Sequence, residues 1–186
     1  MKNCRLLSSH ETRAAVLHLT SDHAAVILDH AQQAYPDECC GLLIGITTPD
    51  GQRSLLEVIP TRNAWDWEAA EQMANAQPSL GIDRQQDKRS RRYWIDPQDL
   101  LQAQRYARTL THRDGTPNLI GIYHSHPDHP ARPSECDRLC AWPDYSYIIV
   151  SVHHGVPQDL LCWKLDPHHQ FLSEPIVIQP TGGDRS

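Results

Sequence analysis

The sequence lacks long runs of apolar residues. The N-terminal stretch MKNCRLLSSHETRAAVLHL contains no apolar segment of the length that a signal peptide needs, and no part of the 186 residues approaches a membrane-spanning helix. A basic surplus is also absent, because the formal net charge is −6 and the pI is about 6.0. We therefore expect a cytoplasmic protein with neither a membrane nor a nucleic acid as its partner.

The cysteines form no Cys-x-x-Cys pair and follow no regular spacing. A chain of this length can bury a core without disulfide bonds. We therefore expect small, buried, reduced thiols. The six cysteines are Cys4, Cys39, Cys40, Cys136, Cys140 and Cys162.

The length fits a single domain. Residues 1–20 show no clean period and are predicted to be an N-terminal lead-in. Residues 21–179 are predicted to form the domain, and residues 180–186 a flexible polar tail. The Gly182-Gly183 pair in this tail receives no function.

Two helices and a hairpin are predicted in the first two thirds of the domain. A helical period begins at Ser21, with Ser21 or Asp22 as the cap, and ends at Tyr35-Pro36. CCGLLIGI and SLLEVIP flank a Pro-Asp-Gly turn and predict a hairpin. A second helix is predicted to begin with Asp96 as its cap and Pro97 as its first residue.

Residues 63–92 are polar, show no sustained period and are predicted to be an inserted loop. This loop is either a flap beside the site or a solvated insertion. The four strands predicted after the second helix are NLIGIYHSH, YSYIIVSV, DLLCWKL and FLSEPIVI.

The segment GIYHSHPDHPARPSECD gathers groups that bind metals. Side chains of a strand alternate between its two faces, so His124 and His126 are expected to face the same side. Pro127 favours extended backbone at His126 and so maintains this pairing to the strand's end. Two imidazoles can then bind one metal ion.

Ser134 and Asp137 have two interpretations. Their spacing is that of a capping box at a helix start. Together with His124 and His126, Asp137 is also a candidate third ligand, and two histidines plus a carboxylate with a fourth position open are typical of catalytic zinc.

The pattern His-x-His, seven residues, then Ser-x-x-Asp is similar to the signature of the JAMM (MPN-plus) metalloproteases. YPDECCGLLIG and AWPDYSYIIVSV resemble further segments of that family, and the stand-alone bacterial members are the most similar. The resemblance implies an α/β fold: a single domain with a curved mixed β-sheet flanked by helices, related to the cytidine-deaminase-like architecture.

The resemblance also implies roles for five residues. His124, His126 and Asp137 would hold zinc, Glu38 would be the general acid/base, and Ser134 would stabilise the oxyanion. From the residues alone, the acid/base role could belong to Glu38, Asp37, Glu57 or Glu135. The family pattern selects Glu38, because it stands just before CCGLLIG.

The function implied is that of a zinc metallopeptidase that cuts the amide after the C-terminal glycine of a ubiquitin-like or sulfur-carrier protein. A cell-wall or phage-tail peptidase and a non-catalytic interaction module of the same fold are the alternatives. Deaminase and common zinc-protease chemistry are disfavoured, because their His-x-Glu with Pro-Cys-x-x-Cys and His-Glu-x-x-His signatures are absent. The oligomeric state is left open.

Overall fold

The computed structural model describes residues 15–83 and 87–181. Within these residues, eight strands form one sheet, accompanied by four helices. The strands are β1 (Leu17–Thr20), β2 (Cys40–Thr47), β3 (Arg53–Thr61), β4 (Asn118–Pro127), β5 (Ser146–His153), β6 (Val156–Leu165), β7 (Phe171–Glu174) and β8 (Ile176–Gln179). The helices are α1 (Ser21–Ala34), α2 (Trp67–Ala76), α3 (Pro97–Ala107) and α4 (Glu135–Cys140), and a 3-10 turn covers Pro78–Leu80. None of the helices in this described part of the chain is long and apolar enough to cross a membrane.

The sheet is mixed and curved, as predicted. Its strand order is β7-β6-β5-β4-β2-β3-β1-β8. The pairs β4-β5, β1-β3 and β1-β8 are parallel, and the other neighbours are antiparallel. β7 and β8 lie at opposite edges, yet only Pro175 separates them along the chain. Because one residue spans about 7 Å between its two neighbours, the edges must approach each other and the sheet must curl.

Two predictions about strands are wrong. FLSEPIVI was predicted as one strand, but it forms β7 and β8, since Pro175 has no N–H with which to continue a ladder. Residues 17–20 belong to the predicted lead-in, but they form β1, in which Leu17 lies opposite Ile176. Residues 1–14 and 182–186, with Cys4 and the Gly182-Gly183 pair, lie outside the described residues.

The two predicted helices are confirmed as α1 and α3. Asp96 caps α3 with its side chain, and Pro97 is the first helical residue. α1 is capped by Thr20, whose side chain accepts a hydrogen bond from the first turn. The predicted caps Ser21 and Asp22 are therefore wrong by one or two residues, because both already lie inside the helix.

Residues 63–92 are not wholly a loop, because they contain α2 and the 3-10 turn. Asp66 caps α2 by accepting a hydrogen bond from the Ala69 N–H at 2.9 Å. Ala69 and Met73 are buried against Trp65. The prediction failed here because α2 has only ten residues and two of its three buried residues are alanines, which contribute little apolar signal.

The sheet separates two apolar cores. α1 packs against β3, β5 and β6 on one face, and α3 packs against β2 and β4 on the other. The central strands β2, β4 and β5 are buried along almost their whole length. The two histidine side chains at the end of β4 point to the side of the sheet on which α3 packs.

A buried ion pair joins distant strands of the sheet. Arg53 Nη1 on β3 lies 3.5 Å from Glu174 Oε1 on β7 and donates to Ser146 Oγ at 2.7 Å. Cys162 Sγ donates to the other Glu174 oxygen at 3.2 Å. β3 and β7 stand far apart in the strand order, so this pair can form only because the sheet curls.

We expect Arg53→Met to destabilise the protein by about 3–5 kcal/mol, because it leaves the Glu174 carboxylate buried without its cation. Replacing both partners, as Arg53→Met with Glu174→Leu, should restore most of the loss. Urea unfolding of the two variants and the parent measures both effects. A single variant as stable as the parent would show that Glu174 does not depend on this pair.

Candidate metal centre

Strand β4 brings His124 and His126 together on one face, as predicted. Their Nε2 atoms lie 3.0 Å apart. Ser125 between them faces the opposite side, where its Oγ accepts a hydrogen bond from the Cys39 N–H at 2.8 Å. β4 pairs with β2 up to His124 and with β5 up to Pro127, so strands flank the backbone of His124 on both sides and that of His126 on one side.

Asp137 meets both histidines from the first turn of α4. Its Oδ1 lies 3.3 Å from His124 Nε2, and its Oδ2 lies 3.6 Å from His126 Nε2. The same carboxylate completes the capping box, because the Ser134 N–H donates to Oδ2 at 2.6 Å and the Asp137 N–H donates to Ser134 Oγ at 3.1 Å. The capping box is therefore confirmed, and Asp137 as a third metal ligand stays a prediction that this position permits.

The distances between the ligand atoms are close to those around a tetrahedral zinc ion. Ligand atoms about 2.0–2.1 Å from such an ion stand about 3.3–3.4 Å from one another. The two Nε2 atoms lie 3.0 Å apart, and the nearest carboxylate oxygens of Asp137 lie 3.3 Å from His124 Nε2 (Oδ1) and 3.6 Å from His126 Nε2 (Oδ2). Among the described residues, they are also the one group of three metal-binding side chains that converge in this way.

The protonation states of these residues suit metal binding. Pro130 O can only accept, so its 2.9 Å contact with His126 Nδ1 places a proton there and leaves the Nε2 lone pair facing the cluster. Burial lowers the pKa of His124 and favours its neutral form. Burial alone would raise the pKa of Asp137, but His124 and His126 together bring it well below its ordinary value. A neutral imidazole and an ionised carboxylate are the forms that bind a metal.

Tyr93 orients the first imidazole. Its ring stacks on His124 with centroids 4.5 Å apart and planes 25° apart. His124 Nδ1 is buried and has no hydrogen-bond partner within the described part of the chain. The stack therefore restrains the plane of the His124 ring, while the outer hydrogen bond common among metal-binding histidines is missing from the described residues.

Glu38 lies in the same cavity just before β2. It is buried, with 6% of its surface exposed. Burial and the charge of Asp137 raise the pKa of Glu38 well above its ordinary value, and Arg92 and Arg91 oppose that rise. A carboxylate with a raised pKa can accept and release a proton closer to neutral pH.

A cavity of about 560 Å³ connects these groups. Glu38, His126, Ser134 and Asp137 line it, while His124 lies behind them and is fully buried. The remaining wall is largely apolar and includes Met73, Trp94, Leu100, Ile122 and Trp142. A peptide bound against this wall would have one of its bonds beside the polar cluster.

The other candidate acids do not line this cavity. Glu57 accepts a hydrogen bond from the Tyr106 hydroxyl, and Glu135 pairs with Arg138. Asp37 also lies outside the cavity wall. Of the four acids that the sequence left open, Glu38 alone shares the cavity with Asp137.

Three residues near the centre carried no signal in the sequence analysis. They are Asn63, Tyr93 and Ser125. Asn63 contacts the backbone of Glu38, Tyr93 stacks on His124, and Ser125 binds the residue that follows Glu38. Each contact joins residues that are far apart in the chain, so no local sequence pattern predicts it.

Comparison with known proteins finds a matching family model, two similar proteins and a similar solved structure. A family model described as prokaryotic homologs of the JAB domain matches residues 20–166. The CysO-cysteine peptidase of Mycobacterium tuberculosis is 29% identical over 164 residues, which cover 87% of this chain and 84% of that protein. The human deubiquitinase BRCC36 is 34% identical over 126 residues, which cover 65% of this chain and 39% of that protein. A solution structure of a Desulfitobacterium hafniense protein matches with a TM-score of 0.66 and 27% identity, covering 89% of this chain and 94% of that one.

We expect Glu38→Gln to stabilise the metal-free protein at pH 8. The pKa of Glu38 is raised in the folded state above its unfolded value of about 4.3. Stability is therefore lost as the pH rises from the unfolded toward the folded pKa, and glutamine avoids that loss. Urea unfolding at pH 4 and pH 8 should show the gain only at the higher pH.

Glu68→Gln is the matched control, because Glu68 is exposed in the first turn of α2. Equal stabilities of the Glu38→Gln variant and the parent at pH 8 would contradict the buried, costly carboxylate described above.

Proposed function

The chain belongs to the family of prokaryotic homologs of the JAB domain, and on that premise we propose that it is a zinc-dependent metallopeptidase. The bond cut is the amide after the C-terminal glycine of a ubiquitin-like or sulfur-carrier protein. One observation carries the proposal: the ligand atoms of His124, His126 and Asp137 lie within 4.8 Å of one another, beside the cavity that Glu38 lines.

The chain supplies a distinct group for each task of amide hydrolysis. His124, His126 and Asp137 would hold the metal. A zinc ion held there would lower the pKa of a bound water to about 7. Glu38, buried next to Asp137, would take a proton on its carboxylate and deliver it to the leaving amine.

Ser134 suits the role of oxyanion donor. Its Oγ accepts a hydrogen bond from the Asp137 N–H, so its own hydroxyl proton remains available for the substrate's carbonyl oxygen. The residue is exposed and lines the cavity.

The names of two relatives support the substrate class. One is a CysO-cysteine peptidase and the other a deubiquitinase, which together favour a small carrier or ubiquitin-like protein. The substrate tail would not add to β4 before His124, because β2 and β5 already pair with that part of the strand on both sides. We propose that the tail lies across the cavity. We also propose that the reaction takes place in the cytoplasm.

The two alternative functions differ in the residues and the substrate that they need. A non-catalytic module of this fold has no need for three ligands and a buried acid, and all four are present here. A cell-wall or phage-tail peptidase would use the same centre on a different peptide, so the substrate distinguishes it.

We expect the purified protein to carry about one zinc ion per chain, because three ligands of the right type converge. His126→Ala and Asp137→Ala should each remove the ion, since each deletes a ligand. His153→Ala, at an exposed position, is the control that should keep it. Elemental analysis provides the measurement, and full occupancy in both ligand variants would refute the site.

We expect carrier adducts that end in Gly-Cys or Gly-Lys to be cut after the glycine, and adducts with valine in its place to be spared. A side chain next to the scissile carbonyl would crowd His126 and Asp137, whereas glycine permits close approach. Mass spectrometry of the two fusions measures cleavage. The Glu38→Gln variant, which keeps the three ligands, serves as the inactive control.

Two results would overturn the substrate class. Equal cleavage of the glycine and valine fusions, or cleavage only of cell-wall stem peptides, would favour the cell-wall alternative. No cleavage of any peptide by the zinc-loaded protein would favour the non-catalytic module.

A further inference from the structure

The side chain of Asn63 joins four backbone groups near the cavity. Its Nδ2 donates to Glu38 O at 3.0 Å and to Arg92 O at 2.9 Å. Its Oδ1 accepts from the Trp65 N–H at 2.9 Å and from the Trp94 N–H at 3.2 Å. These bonds use both donors and both lone pairs of the amide.

Glu38 depends on this segment for its backbone contacts. β2 begins only at Cys40, so Glu38 lies outside the strand ladder. Its N–H donates to Arg89 O at 2.8 Å, and its carbonyl accepts from Asn63. Both backbone groups of Glu38 are therefore held by the segment that the sequence predicted as an inserted loop.

Asn63 is also linked to the candidate metal centre through Tyr93. Tyr93 lies between Arg92 and Trp94, both of which Asn63 holds. The Tyr93 ring stacks on His124. Asn63 thus connects Glu38 to a ring that packs against one of the histidines.

We propose that Asn63 is a positioning residue, which sets where the Glu38 carboxylate stands relative to His124, His126 and Asp137. This inference rests on the proposed function, because it assigns Asn63 a task in the proposed hydrolysis. A displacement of about 1 Å in such a group can lower a rate about 100-fold. Loss of Asn63 should therefore lower kcat while substrate binding and zinc persist.

A purely structural role for Asn63 is the alternative. The segment has bonds of its own, because the Trp65 Nε1–H donates to Asp87 O at 2.9 Å, Arg92 pairs with Asp87 at 2.7 Å, and Arg89 Nε donates to Trp65 O at 2.8 Å. These contacts do not involve Asn63, so the segment should remain folded without it. A structural role predicts parallel losses of stability, zinc and activity, whereas positioning predicts a loss in kcat alone.

The experiment compares Asn63→Asp with the parent on the carrier-Gly-Cys adduct. Aspartate keeps the shape and both acceptor bonds, but it cannot donate to the Glu38 and Arg92 carbonyls. We expect kcat to fall at least about 10-fold, KM to change less than about threefold and zinc content to stay near that of the parent. Asn75→Ala is the matched control, because Asn75 is an exposed asparagine on α2.

Asn63→Ala provides a second variant if the aspartate variant does not fold. It removes both donors without adding a charge, so we expect a similar fall in kcat. A zinc-loaded Asn63 variant with the kcat of Asn75→Ala would overturn the positioning role. A kcat that falls only in proportion to lost zinc would overturn it as well. If the zinc-loaded parent cuts no adduct, the proposed function itself fails, and that result is distinct from both.

Discussion

The alternation of side chains along β4 is the constraint on which the candidate centre depends. His124 and His126 face the cavity because they are two residues apart, and Ser125 consequently faces the other way. There its Oγ accepts from the Cys39 N–H, and its own N–H donates to Cys39 O at 3.2 Å. One strand therefore sets the two imidazoles and also holds the residue that follows Glu38.

The centre concentrates charge that is costly without a metal. Glu38 and Asp137 are both buried and close enough that the charge of one raises the pKa of the other. His124 is fully buried next to them. A divalent cation between these groups would offset the repulsion, so the arrangement that weakens the metal-free protein is the one that favours metal binding. The Ser134 capping box holds Asp137 in place through backbone bonds that need no metal.

Local patterns predicted the features whose cause is local. The caps and periods of α1 and α3 predicted those helices, apart from the Thr20 cap, and strand alternation predicted the facing of His124 and His126. The capping-box spacing predicted the turn that carries Asp137. β1, α2 and the division at Pro175 were not predicted, because β1 forms by pairing with β3 and β8, which are distant in the chain, and α2 is short, with two alanines among its three buried residues. Glu38 was selected through the family resemblance, and its supports at Asn63, Arg89 and Ser125 depend on contacts between distant parts of the chain.

X-ray absorption spectroscopy of the zinc-loaded protein tests the central claim most directly. Cys136 and Cys140 line the same cavity as Asp137, so their thiols are the main competing ligands for a metal bound there. The account predicts two imidazole nitrogens, a carboxylate oxygen and one further light atom at about 2.0–2.2 Å. A sulfur shell at about 2.3 Å would contradict it, because the metal would then be held by thiols and not by the cluster of His124, His126 and Asp137.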